Sequence, residues 1–325
     1  MELAIIGATG LVGTEIIKIL EEKKIKELKK IYFVASEKNK GKNILYKKQK
    51  QKIISISEAI KKSPSFVIFS SGSKISKKYA KVFTKKGTIV IDNSSEFRMK
   101  KDVKLIVPEI NGEKIKKKDL IISNPNCSTI QLVLALHKIH KEKIIKRIIV
   151  STYQAVSGSG QAGINQLKKE EKLKRITKKA YKKQIYRNVI PHCDDFLENE
   201  YTKEEEKVIK ETNKILQSKI KITATAVRVP TIGGHGESVN IELTKSATKE
   251  DLIKILKKQK GLVVEEGKKY KTPIETRGKN EVFVSRLRRD NSQKNTFNMW
   301  IVADPLRKGA ATNSVQILEK IINMR

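Results

Sequence analysis

An α/β fold, with an N-terminal doubly wound parallel sheet followed by an α+β domain, is what three features of the 325-residue sequence predict. The chain opens on a short apolar strand, a glycine turn and an amphipathic helix. Short apolar strands then alternate with helical segments, and beyond Cys127 the strands lengthen and that alternation ends.

The opening strand is Leu3-Ala4-Ile5-Ile6, the turn Gly7-Ala8-Thr9-Gly10-Leu11-Val12-Gly13, and the helix runs from Leu11 to Leu20. The glycine spacing is G-x-x-G-x-x-G rather than G-x-G-x-x-G, but strand, turn and helix come in the order a Rossmann-like dinucleotide site requires. Gly7 permits the sharp exit from the strand, Gly10 lets backbone approach a pyrophosphate, and Gly13 lets the helix lie close to the sheet. A tight βα turn without ligand is the plainer reading of the same residues. The next strand, 31–35, ends at Ser36-Glu37-Lys38-Asn39-Lys40, where such a fold meets the adenosine ribose. Glu37 there would accept from a 2′-hydroxyl and favour NAD, whereas Ser36 with Lys38, Lys40 or Lys42 would hold a 2′-phosphate and favour NADP. Further strands are expected at 53–56, 66–69, 88–91, 105–107 and 120–122. Ser70-Ser71-Gly72 and Asp92-Asn93-Ser94-Ser95 follow two of them, at strand ends where doubly wound sheets bind ligands, although these are also ordinary turn residues.

Residues 123–131 read Ser-Asn-Pro-Asn-Cys-Ser-Thr-Ile-Gln, so a strand breaks at Pro125 and Cys127 stands where the next helix begins. Unpaired N–H groups and the positive end of the helix dipole would lower the thiol pKa from about 8.5 and would receive an oxyanion formed on an attacked carbonyl. A buried cysteine packing as a small hydrophobe is the alternative, and partners elsewhere decide between them. Strands at 144–153, 220–229, 238–244 and 298–303, with polar helices at 163–186, 203–217 and 249–258, predict an α+β domain with a largely antiparallel sheet. The Lys-rich stretch 168–183 reads as a solvated helix face. The closing helix, 310–322, must return to the first domain if Asn313 is to reach a cofactor. The expected domains are 1–126 with 304–325 for dinucleotide binding, and 127–303 for catalysis.

Composition narrows the function classes. The net charge of +35 invites a nucleic-acid reading, but only eleven of the 70 basic residues are Arg, and the Lys residues are spread over nearly every expected surface helix. That distribution matches codon bias at solvated positions, leaves no specific nucleic-acid partner, and allows only weak, salt-sensitive polyanion binding. Two cysteines, Cys127 and Cys193, fit a reducing compartment, and no metal-ligand spacing occurs. The first residues run straight into a strand, and no uncharged apolar run reaches 18 residues, so a cytoplasmic protein without membrane contact is expected.

Four histidines compete for the role of acid/base. His137 and His140 read as surface or packing residues, and His192 is merely adjacent to Cys193. His235 lies in Arg228-Val229-Pro230-Thr231-Ile232-Gly233-Gly234-His235-Gly236-Glu237-Ser238. There the small residues are expected to leave substrate room beside an imidazole whose pKa of about 6.5 suits proton transfer.

Seven collinear segments resemble one family. They are Gly7 to Gly13, Asn93-Ser94-Ser95-Glu96-Phe97-Arg98, Val107-Pro108-Glu109-Ile110-Asn111, Ser123 to Thr129, Gln154-Ala155-Val156-Ser157-Gly158-Ser159-Gly160, Arg228 to Ser238, and Lys308-Gly309-Ala310-Ala311-Thr312-Asn313. Together they resemble aspartate-semialdehyde dehydrogenase of the shorter bacterial type. The resemblance implies a glyceraldehyde-3-phosphate-dehydrogenase-like α+β substrate and dimerisation domain, and reductive dephosphorylation of L-4-aspartyl phosphate with NADPH, on the shared route to lysine, threonine and methionine. By the same resemblance Cys127 is the nucleophile, Gln154 orients the acyl intermediate and His235 is the acid/base. Arg228 grips the substrate carboxylate, Arg98 and Asn126 bind phosphate, and Glu211 with Lys214 meets the substrate amino group and phosphate. Gly7, Thr9, Gly10, Leu11, Val12, Ser36, Ser70, Ser157, Gly158 and Asn313 fall at cofactor positions, with NADP(H) as cofactor, inorganic phosphate as co-substrate, and a homodimer or homotetramer as the assembly.

The sequence departs from the family pattern in three places. Glu37 stands where the family usually has Arg, Gly233-Gly234-His235-Gly236-Glu237 replaces an Ala-His-Ser-Glu pattern, and Pro305 replaces a frequent Asn. N-acetyl-γ-glutamyl-phosphate reductase, the nearest rival, typically carries Gly-Cys-Tyr where this chain has Asn126-Cys127-Ser128. A non-catalytic polyanion-binding protein would account for the charge but not for Cys, Gln, Arg and His in register, and a degenerate copy would keep the fold without activity.

Overall fold

The computed structural model describes residues 1–177 and 179–325 and divides into two compact units, Met1–Asn126 with Ala310–Arg325, and Cys127–Gly309.

In the first unit β1 (Glu2–Ile6) leads into α1 (Leu11–Lys23) and then β2 (Lys30–Val34). There follow a hairpin of β3 (Asn43–Tyr46) and β4 (Gln49–Lys52), α2 (Ile56–Lys62), β5 (Phe66–Phe69), α3 (Ser73–Thr84), β6 (Ile89–Asp92), β7 (Lys104–Leu105), α4 (Pro108–Asn111) and β8 (Ile121–Ser123). Six strands form one sheet in the order β2-β1-β5-β6-β8-β7, every pairing parallel. Both faces are covered, which is why the strands read as unbroken apolar runs. Leu3, Ile5, Phe66, Ile68 and Ile91 turn to one side, among Ile16 and Leu20 of α1 and Val315, Leu318 and Ile321 of the closing helix, Thr312–Ile322. Ala4, Ile6, Val67, Phe69 and Val90 turn to the other, against Ala80 and Phe83 of α3. Lys23 and Glu319, 2.8 Å apart, pair across α1 and the closing helix.

Residues 53–56, expected as a strand, do not form one. Ile54 makes a single bridge to Val34, and Ser55 then caps α2, its hydroxyl accepting from the Glu58 N–H while Glu58 accepts from the Ser55 N–H. That reciprocal capping box starts the helix and ends the extended run.

The second unit starts with α5 (Cys127–Lys143), followed by β9 (Ile145–Ala155), α6 (Gly160–Glu171), α7 (Lys203–Leu216), β10 (Lys221–Val229), β11 (His235–Leu243), α8 (Lys249–Lys257), β12 (Leu262–Val264), β13 (Val282–Arg289) and β14 (Thr296–Ala303). Its sheet runs β10-β9-β11-β14-β13-β12, antiparallel at the centre with a parallel pairing at each edge. Helix α5 lies on one face, where Ile148, Val150, Val239 and Ile241 are buried. The Lys-rich stretch is not the continuous helix expected, for α6 ends at Glu171; Lys178 lies outside the described residues. The cause is side-chain competition for backbone donors. Gln166 accepts from the N–H groups of Ala180 and Tyr181, and Glu170 from those of Ile185 and Tyr186, fastening the following segment back against α6.

Candidate active site

The glycine turn of the first unit is built for close approach. Gly7 has φ of +88°, and a Cβ there would lie 2.9 Å from the Ser70 carbonyl oxygen. Ser70 closes the turn from the neighbouring strand, its N–H and hydroxyl both donating to the Ile6 carbonyl at 2.8 Å. Thr9 and Gly10 are exposed and Leu11 and Val12 partly so, and Gly10, the N-cap of α1, gives it no side-chain cap. The donors of a 13-residue helix therefore face an open turn, a geometry that fits a dinucleotide pyrophosphate. Ser36 and Glu37 are exposed past β2, where Asn39 donates to the Thr9 hydroxyl at 3.4 Å.

Other residues expected at ligands are locked inside this unit. Asn313 is fully buried and donates to the Ile106 carbonyl (2.9 Å) and to Asn124 Oδ1 (2.7 Å), which braces the strand exit before Pro125. Arg98 is buried, its Nε donating to the Asn124 carbonyl at 2.9 Å and its Nη2 to that of Asn93 at 2.8 Å. Asn126 is buried as well.

In the second unit Cys127 is the first residue of α5 and is partly exposed, where the positive end of the helix dipole favours a thiolate. Gly309 lies against it: a Cβ there would come within 2.8 Å of the cysteine Cβ. Gln154, at the end of β9, donates from Nε2 to Ser128 Oγ at 3.0 Å, and Gln131 donates to the His235 carbonyl at 3.3 Å. Both candidate partners of the thiol are thus tied to the first turns of α5.

His235 is wholly buried, and its Nδ1 accepts from the Ala155 N–H at 3.1 Å. Because that nitrogen is an acceptor, the proton of the neutral ring sits on Nε2, which has no partner among the described residues. Burial, helped by the charge of Arg228 and opposed by that of Glu204, pulls the imidazole pKa down to about 3. The ring is a neutral N–H donor, not the half-charged base expected near 6.5. The flanking glycines also serve another purpose than leaving substrate room. Added Cβ atoms would strike the Pro273 carbonyl at Gly233, Thr276 at Gly234 and the Trp300 ring at Gly236, so packing demands them.

Arg228 is buried and donates from Nη1 to the Ala155 carbonyl at 2.8 Å, while its Nε has no partner among the described residues. It reaches a cavity of about 570 Å³ that is also lined by Ser159, Tyr181, Lys182, Lys183 and His192. Gly158 lies close to both Arg228 and His235, since a Cβ there would lie 2.9 Å from Arg228 Nη1 and 3.0 Å from His235 Nε2. Ser157 is buried beside it, its hydroxyl without a partner among the described residues. On α7, Glu211 is buried and Lys214 half-buried, at i, i+3 on a helix that contacts α5 and β10. His192 stacks on Phe196 at 4.9 Å, and burial pushes the Cys193 thiol up to about 12, so these neighbours are no nucleophilic pair. His137 meets Gln259, and His140 accepts from the Ile145 N–H, both in packing roles.

Sequence reasoning missed Glu204, whose Oε1 accepts from Gln154 Nε2 at 3.2 Å, and Gly309 against the thiol. Glu237, whose pKa complete burial raises well above the usual carboxylate range, was noted only as part of a pattern.

A family model described as "Semialdehyde dehydrogenase, NAD binding domain" matches residues 2–118, and "Semialdehyde dehydrogenase, dimerisation domain" matches residues 136–308. The chain is 44% identical to an aspartate-semialdehyde dehydrogenase of Aquifex aeolicus, covering 98% of this chain and 97% of that protein. It is 40% identical to an enzyme of the same name from Bacillus subtilis, over 99% and 97%. Among solved structures, aspartate semialdehyde dehydrogenase II from Vibrio cholerae superposes with a TM-score of 0.95 at 38% identity, over 99% of this chain and 98% of that one. A second structure of that protein, with the same figures, is complexed with ASA.

Proposed function

Because the chain belongs to the aspartate-semialdehyde dehydrogenase family, we propose that it converts L-4-aspartyl phosphate to L-aspartate 4-semialdehyde through a thioester on Cys127, with NADPH as reductant. The thiolate, favoured at the start of α5, attacks the acyl carbon, and the carbon–oxygen bond to phosphate breaks, releasing inorganic phosphate. NADPH, when bound, supplies the hydride that reduces the thioester. Collapse of the thiohemiacetal then frees the aldehyde and returns the thiolate.

This chain's residues carry the rest. The Nε2–H of His235 donates to the substrate oxygen as it gains charge, and a neutral imidazole can do this repeatedly at neutral pH. Gln154 orients the acyl group. Arg228 receives the α-carboxylate, with Glu211 and Lys214 at the amino and phosphate ends and Arg98 and Asn126 toward phosphate. Gly7, Thr9, Gly10, Leu11, Val12 and Ser70 shape the pyrophosphate turn. Ser36 and Lys38, exposed past β2, are the groups that would favour NADP over NAD. The sheet face opposite α5 carries Tyr153 and Trp300, with ring centroids 5.6 Å apart, and half-exposed Ile149; we assign it to a homodimer contact.

The single observation that carries the reading is that α5 begins at Cys127 while Gln154 and His235 are both tied to its first turns. The test is oxidation of aspartate semialdehyde by NADP or NAD in the presence of phosphate, followed at 25 °C. Turnover should vanish in Cys127→Ala while NADPH binding, read by fluorescence, persists. Full activity of that variant, or turnover of N-acetylglutamate semialdehyde in preference, would overturn the assignment.

A further inference from the structure

We infer that Gln131 is a positioning residue that sets the strand carrying His235 against the start of α5, and that Glu237 supports its amide in doing so. The inference rests on the role given to His235 above and extends it to two buried groups behind that residue. Gln131 stands at i, i+4 to Cys127, so the two side chains leave the same face of α5. It is only 2% exposed, and its Nε2 donates to the His235 carbonyl at 3.3 Å, across 104 positions of sequence. A carbonyl only accepts, so the amide must present its NH₂ end there. His235 is thereby pinned twice. The Ala155 N–H holds its ring at Nδ1 (3.1 Å), and the helix that begins at the nucleophile holds its main chain.

Glu237 follows two residues later on β11, so its side chain leaves the same face of the sheet as that of His235, and it is wholly buried. Neither carboxyl oxygen has a full hydrogen bond among the described residues, and the buried Thr152 hydroxyl, opposite it on β9, has none either. Burial raises the carboxyl pKa, and the Gln131 side chain is what opposes that rise, so the amide lies near the carboxyl without closing a full bond to it. An NH₂ group has two hydrogens to place. The His235 carbonyl takes one, and Glu237 is the acceptor set for the other. A buried amide with both hydrogens placed is held in one orientation, which a single long bond of 3.3 Å would not ensure.

Gln131→Met keeps the length of the side chain and removes the donor. The expected result is a kcat for semialdehyde oxidation lowered roughly 10-fold, with KM changed less than about twofold, because the imidazole shifts relative to the sulfur while the grip on substrate stays. In a His235→Ala background, already slowed, Gln131→Met should cost less than about a further twofold, since it acts through the imidazole. A merely structural glutamine would slow both backgrounds alike. Glu237→Leu should act in the same direction as Gln131→Met, and Glu237→Gln, which keeps an acceptor for the second N–H, should recover most of that loss. Thermal unfolding of each variant separates misfolding from misplacement, and if Gln131→Met does not fold, the Glu237 pair decides. A wild-type kcat in Gln131→Met beside a slowed His235→Ala, or effects that simply multiply in the double variant, would overturn the inference alone. A wild-type kcat in Glu237→Leu would overturn the part given to Glu237. His235→Ala with wild-type kcat would overturn both the reading of His235 and this extension of it.

Discussion

Gly158→Ala is the sharpest probe of the site, because the added methyl has nowhere to go. Its carbon would lie 2.9 Å from Arg228 Nη1, 3.0 Å from His235 Nε2 and 3.2 Å from His235 Cε1, against ordinary contacts of about 3.5 Å or more. Something must move by roughly half an ångström. The imidazole is wholly buried with Nδ1 held by the Ala155 N–H, and the guanidinium is held by the Ala155 carbonyl, so the strain falls on the two groups assigned to substrate. Displacement on that scale at a reacting centre costs on the order of 10- to 100-fold in rate, whereas one overpacked methyl costs about 1–3 kcal/mol of stability. The assay is steady-state oxidation of aspartate semialdehyde with NADP and phosphate, beside a urea unfolding curve. We expect a folded protein whose kcat/KM falls by the larger factor. A variant with wild-type kcat/KM would show that neither Arg228 nor His235 needs its observed place, and the site as built here would be refuted.

Two further outcomes follow from the same geometry. Gly309→Ala should slow turnover and also slow alkylation of Cys127 by iodoacetamide, because its methyl would press on the cysteine Cβ at 2.8 Å; unchanged alkylation would refute this. Acid stability tests the burial of His235, whose folded pKa of about 3 lies below its unfolded value near 6.5. The unfolded chain binds the proton first, so stability is full above about pH 6.5 and falls as pH drops toward 3, by about 1 kcal/mol for each pH unit below 6. Glu237, its pKa raised, contributes with the opposite sign above about pH 4.5, but it does so equally in a His235→Gln variant. On going from pH 7 to 5 the urea midpoint should therefore shift downward in the wild type relative to its shift in His235→Gln, because only the wild type carries the His235 contribution, and identical shifts would refute the burial argument.

Much of the first sheet was legible because its strands are apolar on both faces and its turns carry glycine, as at Gly7. Cys127 could be placed at a helix start because Pro125 must interrupt the strand before it. The β3–β4 hairpin was not legible: Asn43 to Lys52 is mostly polar and lies outside the main sheet, so neither alternation nor an apolar run marks it. The partners of the site were hidden for another reason. Gln154 and Glu204 are 50 positions apart, and Gly158 meets Arg228 only through tertiary structure, so no local pattern announces either contact. The glycines around His235 were read as empty space, when Trp300, Thr276 and Pro273 fill it. Glycine reports that something comes close, not what it is.

The first unit is interrupted by the second, which has a bearing on the order in which the protein matures on the ribosome. Residues 1–126 emerge before residues 127–309, yet the helix that supplies Val315, Leu318 and Ile321 to their interior is translated after both. The N-terminal segment must wait, with one side of its sheet covered by α1 alone, while the contiguous segment 127–309 is free to close ahead of it. Vectorial synthesis thus favours the later-encoded unit, the reverse of the usual N-to-C sequence of domain folding.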